Sequence, residues 1–283
     1  MSVVVPCRDE APVLPAFHAV LLSDLAGIEL EWEIIYVDDG SRDGTLEILR
    51  AFAAQDSRVN CLPLGRRGGK DAAMAAGLSQ TVGNCTVFVD ADLQHPTALL
   101  GPMVALYAHG YEQVVARQRR SGRSDSVARR VGSRAFYLLV RVLCGVELVE
   151  GTGDFRLISR QVASVALARP EQHGYLRGLF SGLQLRTAYV DYNWRPRAAG
   201  RSAWSVARLI CYGLRGLATC WCNSLRPSFA ARVTLTTAAG FLSGGLKAAS
   251  VPGEAVMRRL VPGSTPESLM TAAGGGQDSD RPA

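Results

Sequence analysis

No uninterrupted apolar run in this 283-residue sequence reaches the ~20 residues that a membrane-crossing helix needs. The nearest approach, FAARVTLTTAAGFLSGGL from Phe229 to Leu246, is broken by Arg232, three threonines and a Gly-Gly pair, so spanning is not expected. No signal peptide is expected either, because the chain opens on MSVVVP, a strand pattern. Cysteines number seven, odd and scattered. Only Cys220 and Cys222 stand close, with no companion pair to complete a zinc site, and reduced thiols are the expected state. Two nucleotide-binding signatures are missing. No G-x-G-x-x-G follows the first strand pattern, which argues against a dinucleotide dehydrogenase. GRRGGKD has three residues rather than four between Gly65 and Gly69, and Asp71 where a P-loop holds Ser or Thr, which argues against an ATPase.

What is present suits one sizeable α/β domain with extra segments: 48% of residues are hydrophobic, and the net charge is +6. A cationic surplus favours anionic partners such as nucleotide phosphates, acidic lipid headgroups or nucleic acid. Short β-branched runs at Val3–Val5, Glu33–Val37, Val59–Leu62, Thr86–Val89 and Gln113–Ala116 read as strands. Helical patterns fall between them, near Pro12–Leu25, Asp43–Gln55, Asp71–Thr81 and Pro96–Ala108. This alternation predicts βαβ units and a mostly parallel sheet, with ligands at the carboxyl ends of the strands. The polar clusters PCRDE, DDGSRDGT and DADLQ all follow strand patterns.

Residues 118–205 are less regular. SDSVARRVGSRAFYLLVRVLC reads as a helix with Val127, Val131, Leu138 and Val142 on one face and Arg130, Arg134 and Arg141 on its flank. That flank suits either a solvated basic edge or an anionic membrane surface. DFRLISR and RTAYVDYNW read as further strands, 206–261 as amphipathic helical sequence, and 262–283 as a disordered tail rich in Gly, Ser and Pro.

The stretch CTVFVDADLQHP carries the chemistry. In extended chain, side chains at i, i+2 and i+4 share a face, so Asp90, Asp92 and Gln94 converge if strand geometry persists. Three oxygen donors suit a hard divalent cation, Mg²⁺ or Mn²⁺; the competing reading is an acidic start to a helix. Pro6 is expected to end the first strand, leaving its neighbours free to meet a ligand. Asp39, after the second strand, can accept hydrogen bonds from a base or a ribose. Gly40 permits a tight turn, and Ser41 or Asp43 can cap the next helix.

Taken in order, VVVPCRDE, IIYVDDGSRDGT, GRRGGKDAAMAAGL, VFVDADLQHP, GTGDFRLISR and RAAGRS resemble the family 2 glycosyltransferases of the GT-A fold, of the dolichol-phosphate mannosyltransferase and bactoprenol glucosyltransferase type. The resemblance covers about residues 2–205. It implies a Rossmann-like α/β domain: a nucleotide-sugar-binding half at 1–117 and an acceptor-binding part at 118–205, followed by the amphipathic segment at 206–261. It implies inverting transfer of a sugar from a nucleotide-diphosphate donor to a polyprenyl phosphate at the cytoplasmic face of the cell membrane. The protein would be peripheral there, with no nucleic-acid partner and with homo-oligomerisation left open. A saccharide acceptor, or a non-catalytic nucleotide-sugar or membrane-binding relative, is the alternative. By position, the resemblance puts Pro6, Arg8, Glu10 and Asp39 at the nucleoside, and Asp90, Asp92 and Gln94 at the metal. Arg117, after the fifth strand, and Arg197 go to phosphates, and Asp154 to the catalytic-base position. Two departures stand out. Arg66-Arg67-Gly68-Gly69 replaces the family's Arg-Asn-Phe-Gly, and Ala203-Trp204 replaces Lys and an aromatic after Ser202. The second removes a charge-assisted phosphate contact of about 1.5–3 kcal/mol, unless Arg201 substitutes.

Overall fold

The computed structural model describes residues 1–119, 142, 149–170 and 174–193. The expected helix over 124–144, Arg197 and the expected segments from 206 onward therefore lie outside the described residues, apart from the single position 142.

Every strand and helix pattern from residue 2 to 117 is realised. The strands are β1 (Ser2–Cys7), β2 (Glu33–Asp38), β3 (Val59–Pro63), β4 (Cys85–Phe88) and β5 (Gln113–Arg119). Between them lie α1 (Leu14–Ala26), α2 (Thr45–Gln55), α3 (Lys70–Ser79) and α4 (Leu100–Ala108), the last entered through a 3₁₀ turn at Thr97–Leu99. Then come β6 (Thr152–Ser159), α5 (Arg160–Leu167), α6 (Leu176–Gly182) and β7 (Thr187–Asn193).

The seven strands form one sheet in the order β3-β2-β1-β4-β6-β5-β7. All pairings are parallel except those of β6, which runs antiparallel to both β4 and β5. Period-two alternation splits the buried side chains between two faces. Val3, Val5, Ile34, Tyr36, Val87 and Leu157 pack with Leu14, Phe17 and Leu21 of α1 and Met103 of α4. Val4, Ile35, Val37, Phe88 and Ile158 face Met74 and Leu78 of α3, Val162 of α5, and Leu179 and Phe180 of α6. The result is a three-layer α/β/α body. Each fully buried Leu, Ile or Phe there contributes about 1.5–3 kcal/mol.

Pro6 lies inside β1 rather than at its end, opposite Val37 of β2. The strand continues because Pro6 has the parity of Val4, whose carbonyl accepts from Val89 N. The β1–β4 ladder stops at Val4–Phe88, so the missing N–H of Pro6 forfeits no ladder bond. Arg117 likewise lies within β5 rather than after it, because β7 stays in register with β5 through Arg119–Asn193. Neither Ser41 nor Asp43 is the N-cap of α2. That position is Gly44, which supplies no side-chain cap; Asp43 still serves the helix start from one residue earlier, its Oδ1 accepting the Thr45 N–H at 3.0 Å, whereas the Ser41 side chain binds the neighbouring loop.

Among the described residues, no helix is long and apolar enough to cross a membrane.

Candidate active site

Two loops at the carboxyl ends of β1 and β2 are laced together. Ser41 Oγ accepts the Asp9 N–H at 3.0 Å, Thr45 Oγ1 accepts that of Glu10 at 2.9 Å, and Asp43 Oδ2 accepts that of Ala11 at 3.2 Å. In return, Asp9 Oδ1 accepts the Arg42 N–H at 2.8 Å. Glu10 also starts α1, its carbonyl accepting from Val13 N and Leu14 N. Gly40 turns the second loop at φ 66°, and a Cβ there would lie 2.9 Å from Arg67 N. The expected tight turn thus also makes room for the third loop, 64–69.

Asp39 is buried, and its carboxylate is the anchor of that third loop. Oδ1 accepts the Gly68 N–H at 2.5 Å and the Gly69 N–H at 2.9 Å. These donors sit at the start of α3, where a negative charge is favoured by the helix dipole. Arg8 Nη1 lies 3.8 Å from Asp39 Oδ2. That nitrogen is buried and has no hydrogen-bond partner among the described residues, so it can serve an incoming acceptor group.

The third loop delivers Lys70, a residue the sequence reading did not single out. Its Nζ lies 2.6 Å from Asp90 Oδ1, 2.8 Å from Asp90 Oδ2 and 2.7 Å from Asp154 Oδ2. One ammonium thus bridges the acid after β4 and the acid near the start of β6. The antiparallel register explains the meeting. The ladder ends at Phe88–Arg156, and Asp90 and Asp154 each lie two residues from that last pair, where both come within reach of Lys70 Nζ. Like charges in that relation repel, and Lys70 neutralises them. Burial alone would raise the carboxyl of Asp154, but Lys70, with Arg156 and Arg177, holds it well below the usual range. Burial would likewise lower Lys70, and Asp154 and Asp90 more than offset this.

The strand alternation expected across Asp90, Asp92 and Gln94 does not persist. β4 ends at Phe88, the chain turns at Ala91–Asp92, and Leu93 takes φ 60°. Asp92 and Gln94 are joined by a local turn instead, Asp92 Oδ1 accepting the Gln94 N–H at 3.1 Å. Asp90 N donates to His95 Nδ1 at 3.3 Å, and the His95 ring stacks on Phe155 at 5.1 Å. Burial, Asp90 and Asp92 push the Tyr192 hydroxyl of β7 up to about 12.

Among the described residues no group of three or more His, Cys, Asp or Glu side chains could hold a metal ion. Two carboxylates and an amide oxygen nevertheless fit a hard cation that completes its shell with substrate phosphate and water. The ammonium at Asp90 marks a place where positive charge is already accommodated.

Arg117 stands opposite Thr152 of β6. It makes a forked pair with Asp191 of β7, Nε–Oδ1 at 2.5 Å and Nη2–Oδ2 at 2.9 Å, and Arg119 Nε reaches the same Oδ2 at 2.9 Å. Asp191 was missed in the sequence because its strand neighbours gave no sign that two arginines would face it.

A family model described as glycosyl transferase family 2 matches residues 2–165. Among curated proteins, the chain is 36% identical over 217 residues to the Bacillus subtilis (strain 168) protein CsbB, named as a glycosyltransferase, covering 77% of this chain and 65% of that one. It is 32% identical over 223 residues to the bactoprenol glucosyl transferase of Shigella phage SfX, covering 77% and 72%. The chain thus spans about two thirds of the length of the curated relatives it matches. In three dimensions it resembles the Mycobacterium tuberculosis glucosyl-3-phosphoglycerate synthase, solved with Mn²⁺, UDP-glucose and phosphoglyceric acid. The TM-score is 0.51 at 23% identity, covering 79% of each chain. At that identity the likeness establishes the fold.

Proposed function

The chain belongs to glycosyl transferase family 2, and from that premise we propose that it moves a sugar from a nucleoside-diphosphate donor to a polyprenyl phosphate, inverting the anomeric carbon. The observation that carries the reading is the gathering of Asp90, Lys70 and Asp154 at the carboxyl edge of the sheet, in a chain 31–32% identical to proteins named bactoprenol glucosyl transferase. The work is done at the cytoplasmic face of a membrane, where the lipid acceptor resides.

Asp39, Arg8, Pro6 and Glu10 are assigned to the nucleoside, and Asp90, Asp92 and Gln94 to a divalent cation, Mg²⁺ or Mn²⁺. A bound cation of this kind would supply charge neutralisation for the departing diphosphate. Arg117 and Arg197 are assigned to phosphate oxygens. Arg117 has further N–H groups beyond the two that Asp191 engages, so one guanidinium can serve both. Stabilising the negative charge that builds on the leaving oxygens does most to lower the barrier of such a transfer.

Asp154 acts by position. A phosphate monoester, with a second pKa near ~6, is largely dianionic at neutral pH and needs no base. A carboxylate held ionised far below its ordinary range is also a poor proton acceptor. Its role is to orient Lys70 and the acceptor.

The experiment is a panel of radioactive nucleotide sugars incubated with Mn²⁺ and a polyprenyl phosphate, scored by label in the organic extract. Lipid-linked sugar from one donor, abolished by EDTA, is the expected result. Label transferred only to a saccharide, or no turnover with any donor, overturns the assignment.

A further inference from the structure

We propose that Lys70 is a resident counter-cation that exchanges with the donor's divalent ion: its ammonium holds Asp90 while the site lacks that ion, and yields Asp90 to it on loading while remaining on Asp154. The inference rests on the reading above that Asp90 helps hold a metal.

Three observations carry it. First, a single nitrogen contacts both oxygens of Asp90, at 2.6 and 2.8 Å, and Asp154 at 2.7 Å. A metal ligated by Asp90 must therefore displace or share that contact. Second, Asp90 and Asp154 both lie within 2.8 Å of the same nitrogen, so two neighbouring like charges need a cation whether or not a metal is present. Third, Lys70 opens α3, where the helix dipole disfavours a positive charge. Helix formation does not ask for a cation there, but the two carboxylates do. Lysine also suits an exchangeable role better than arginine: a compact ammonium on a flexible stem leaves one carboxylate without abandoning a rigid two-pronged geometry. In a chain with 31 Lys and Arg residues, Lys70 and Lys247 are the only lysines. The anchoring of Gly68 and Gly69 by Asp39 fixes the backbone from which the side chain swings.

The test is Mn²⁺ alone titrated into the full, metal-stripped chain, with free Mn²⁺ followed by electron paramagnetic resonance. Lys70→Met is expected to bind Mn²⁺ at least tenfold more tightly than the wild type, and Lys70→Arg, whose rigid fork yields a carboxylate less readily, more weakly than the wild type. In EDTA the Lys70→Met protein melts several degrees below the wild type, and Mn²⁺ restores the difference. Equal or weaker Mn²⁺ binding by Lys70→Met overturns the exchange. A wild-type measurement removes dependence on the variant's folding. Modification of Lys70 by an amine-reactive ester, read by mass spectrometry against Lys247, should accelerate at least threefold when Mn²⁺ is added. An unchanged rate also overturns the proposal. If the wild type binds no Mn²⁺ even with UDP present, the metal assignment itself has failed; if it binds Mn²⁺ normally and only the Lys70 responses are absent, the exchange alone has failed.

Discussion

Lys70 and Asp154 meet at 2.7 Å, although 83 residues separate them in the sequence. Lys70 comes from the start of α3, and Asp154 from β6, the one antiparallel strand among the described residues. Their contact ties the loop anchored by Asp39 to the segment expected to meet the acceptor.

Replacing Asp154 with Asn should lower lipid-linked transfer at every pH between 5 and 9, by about a hundredfold, the scale set by misplacing reacting groups. The sign follows from Asp154 being held below the usual carboxylate range: it stays ionised across that window, so no protonation step of its own is available to titrate. A pH–rate profile with loss confined to low pH and recovery at high pH would show a general base instead.

Asp39→Ala strips the acceptor from the N–H groups of Gly68 and Gly69. Losing hydrogen bonds to a charged acceptor costs about 1.5–3 kcal/mol, read as a lowered urea midpoint. Asp39→Asn keeps one acceptor oxygen and should recover part of that loss. Indistinguishable Ala and Asn proteins would mean that the loop is held by other contacts.

Gly77→Ala is expected to be disruptive although glycine is a poor helix former. A Cβ there would sit 2.4 Å from Val4 Cγ1 and 2.9 Å from Val37 Cγ2, where α3 lies against β1 and β2. Overpacking of this kind costs about 1–3 kcal/mol. Thermal melting should fall, whereas Gly44→Ala, where a Cβ meets nothing within 4 Å, should not show a comparable drop.

His18 stacks on Phe52 at 4.0 Å and shares a hydrogen bond with Tyr36 at 2.9 Å. Burial lowers its pKa, opposed in part by Asp56. Below the unfolded value of ~6.5, the unfolded chain takes up a proton that the native ring resists, so stability falls as pH falls from there toward the native pKa. Above ~6.5 the group contributes no pH dependence. A His18→Leu protein should show a shallower loss between pH 6.5 and 5 in denaturant titrations; parallel curves would remove His18 from the account.

Strand and helix identities were legible because periodicity and strand-end polar clusters are local properties. Pairing was not. Nothing in GTGDFRLIS announces that β6 inserts antiparallel between β4 and β5, and so nothing announced that Asp154 meets the same ammonium as Asp90. The acid at alternate positions after β4 did pose the right question about a neutralising cation. Its protein-borne answer, Lys70, was hidden inside GRRGGKD, where attention fell on the glycines. The expected convergence of Asp90, Asp92 and Gln94 assumed extended chain, which the positive φ of Leu93 breaks. Pro6 was expected at the end of its strand because the early end of the β1–β4 ladder is a tertiary fact.

The strand order carries a consequence for how the polypeptide is made. Among the described residues, β5 pairs with β6 and β7 alone, both of which leave the ribosome after it. At a synthesis rate of about 5–20 residues per second, the first four strands can assemble while β5 is still an unpartnered ribbon. It finds its place only when β6 has been translated and has docked against β4.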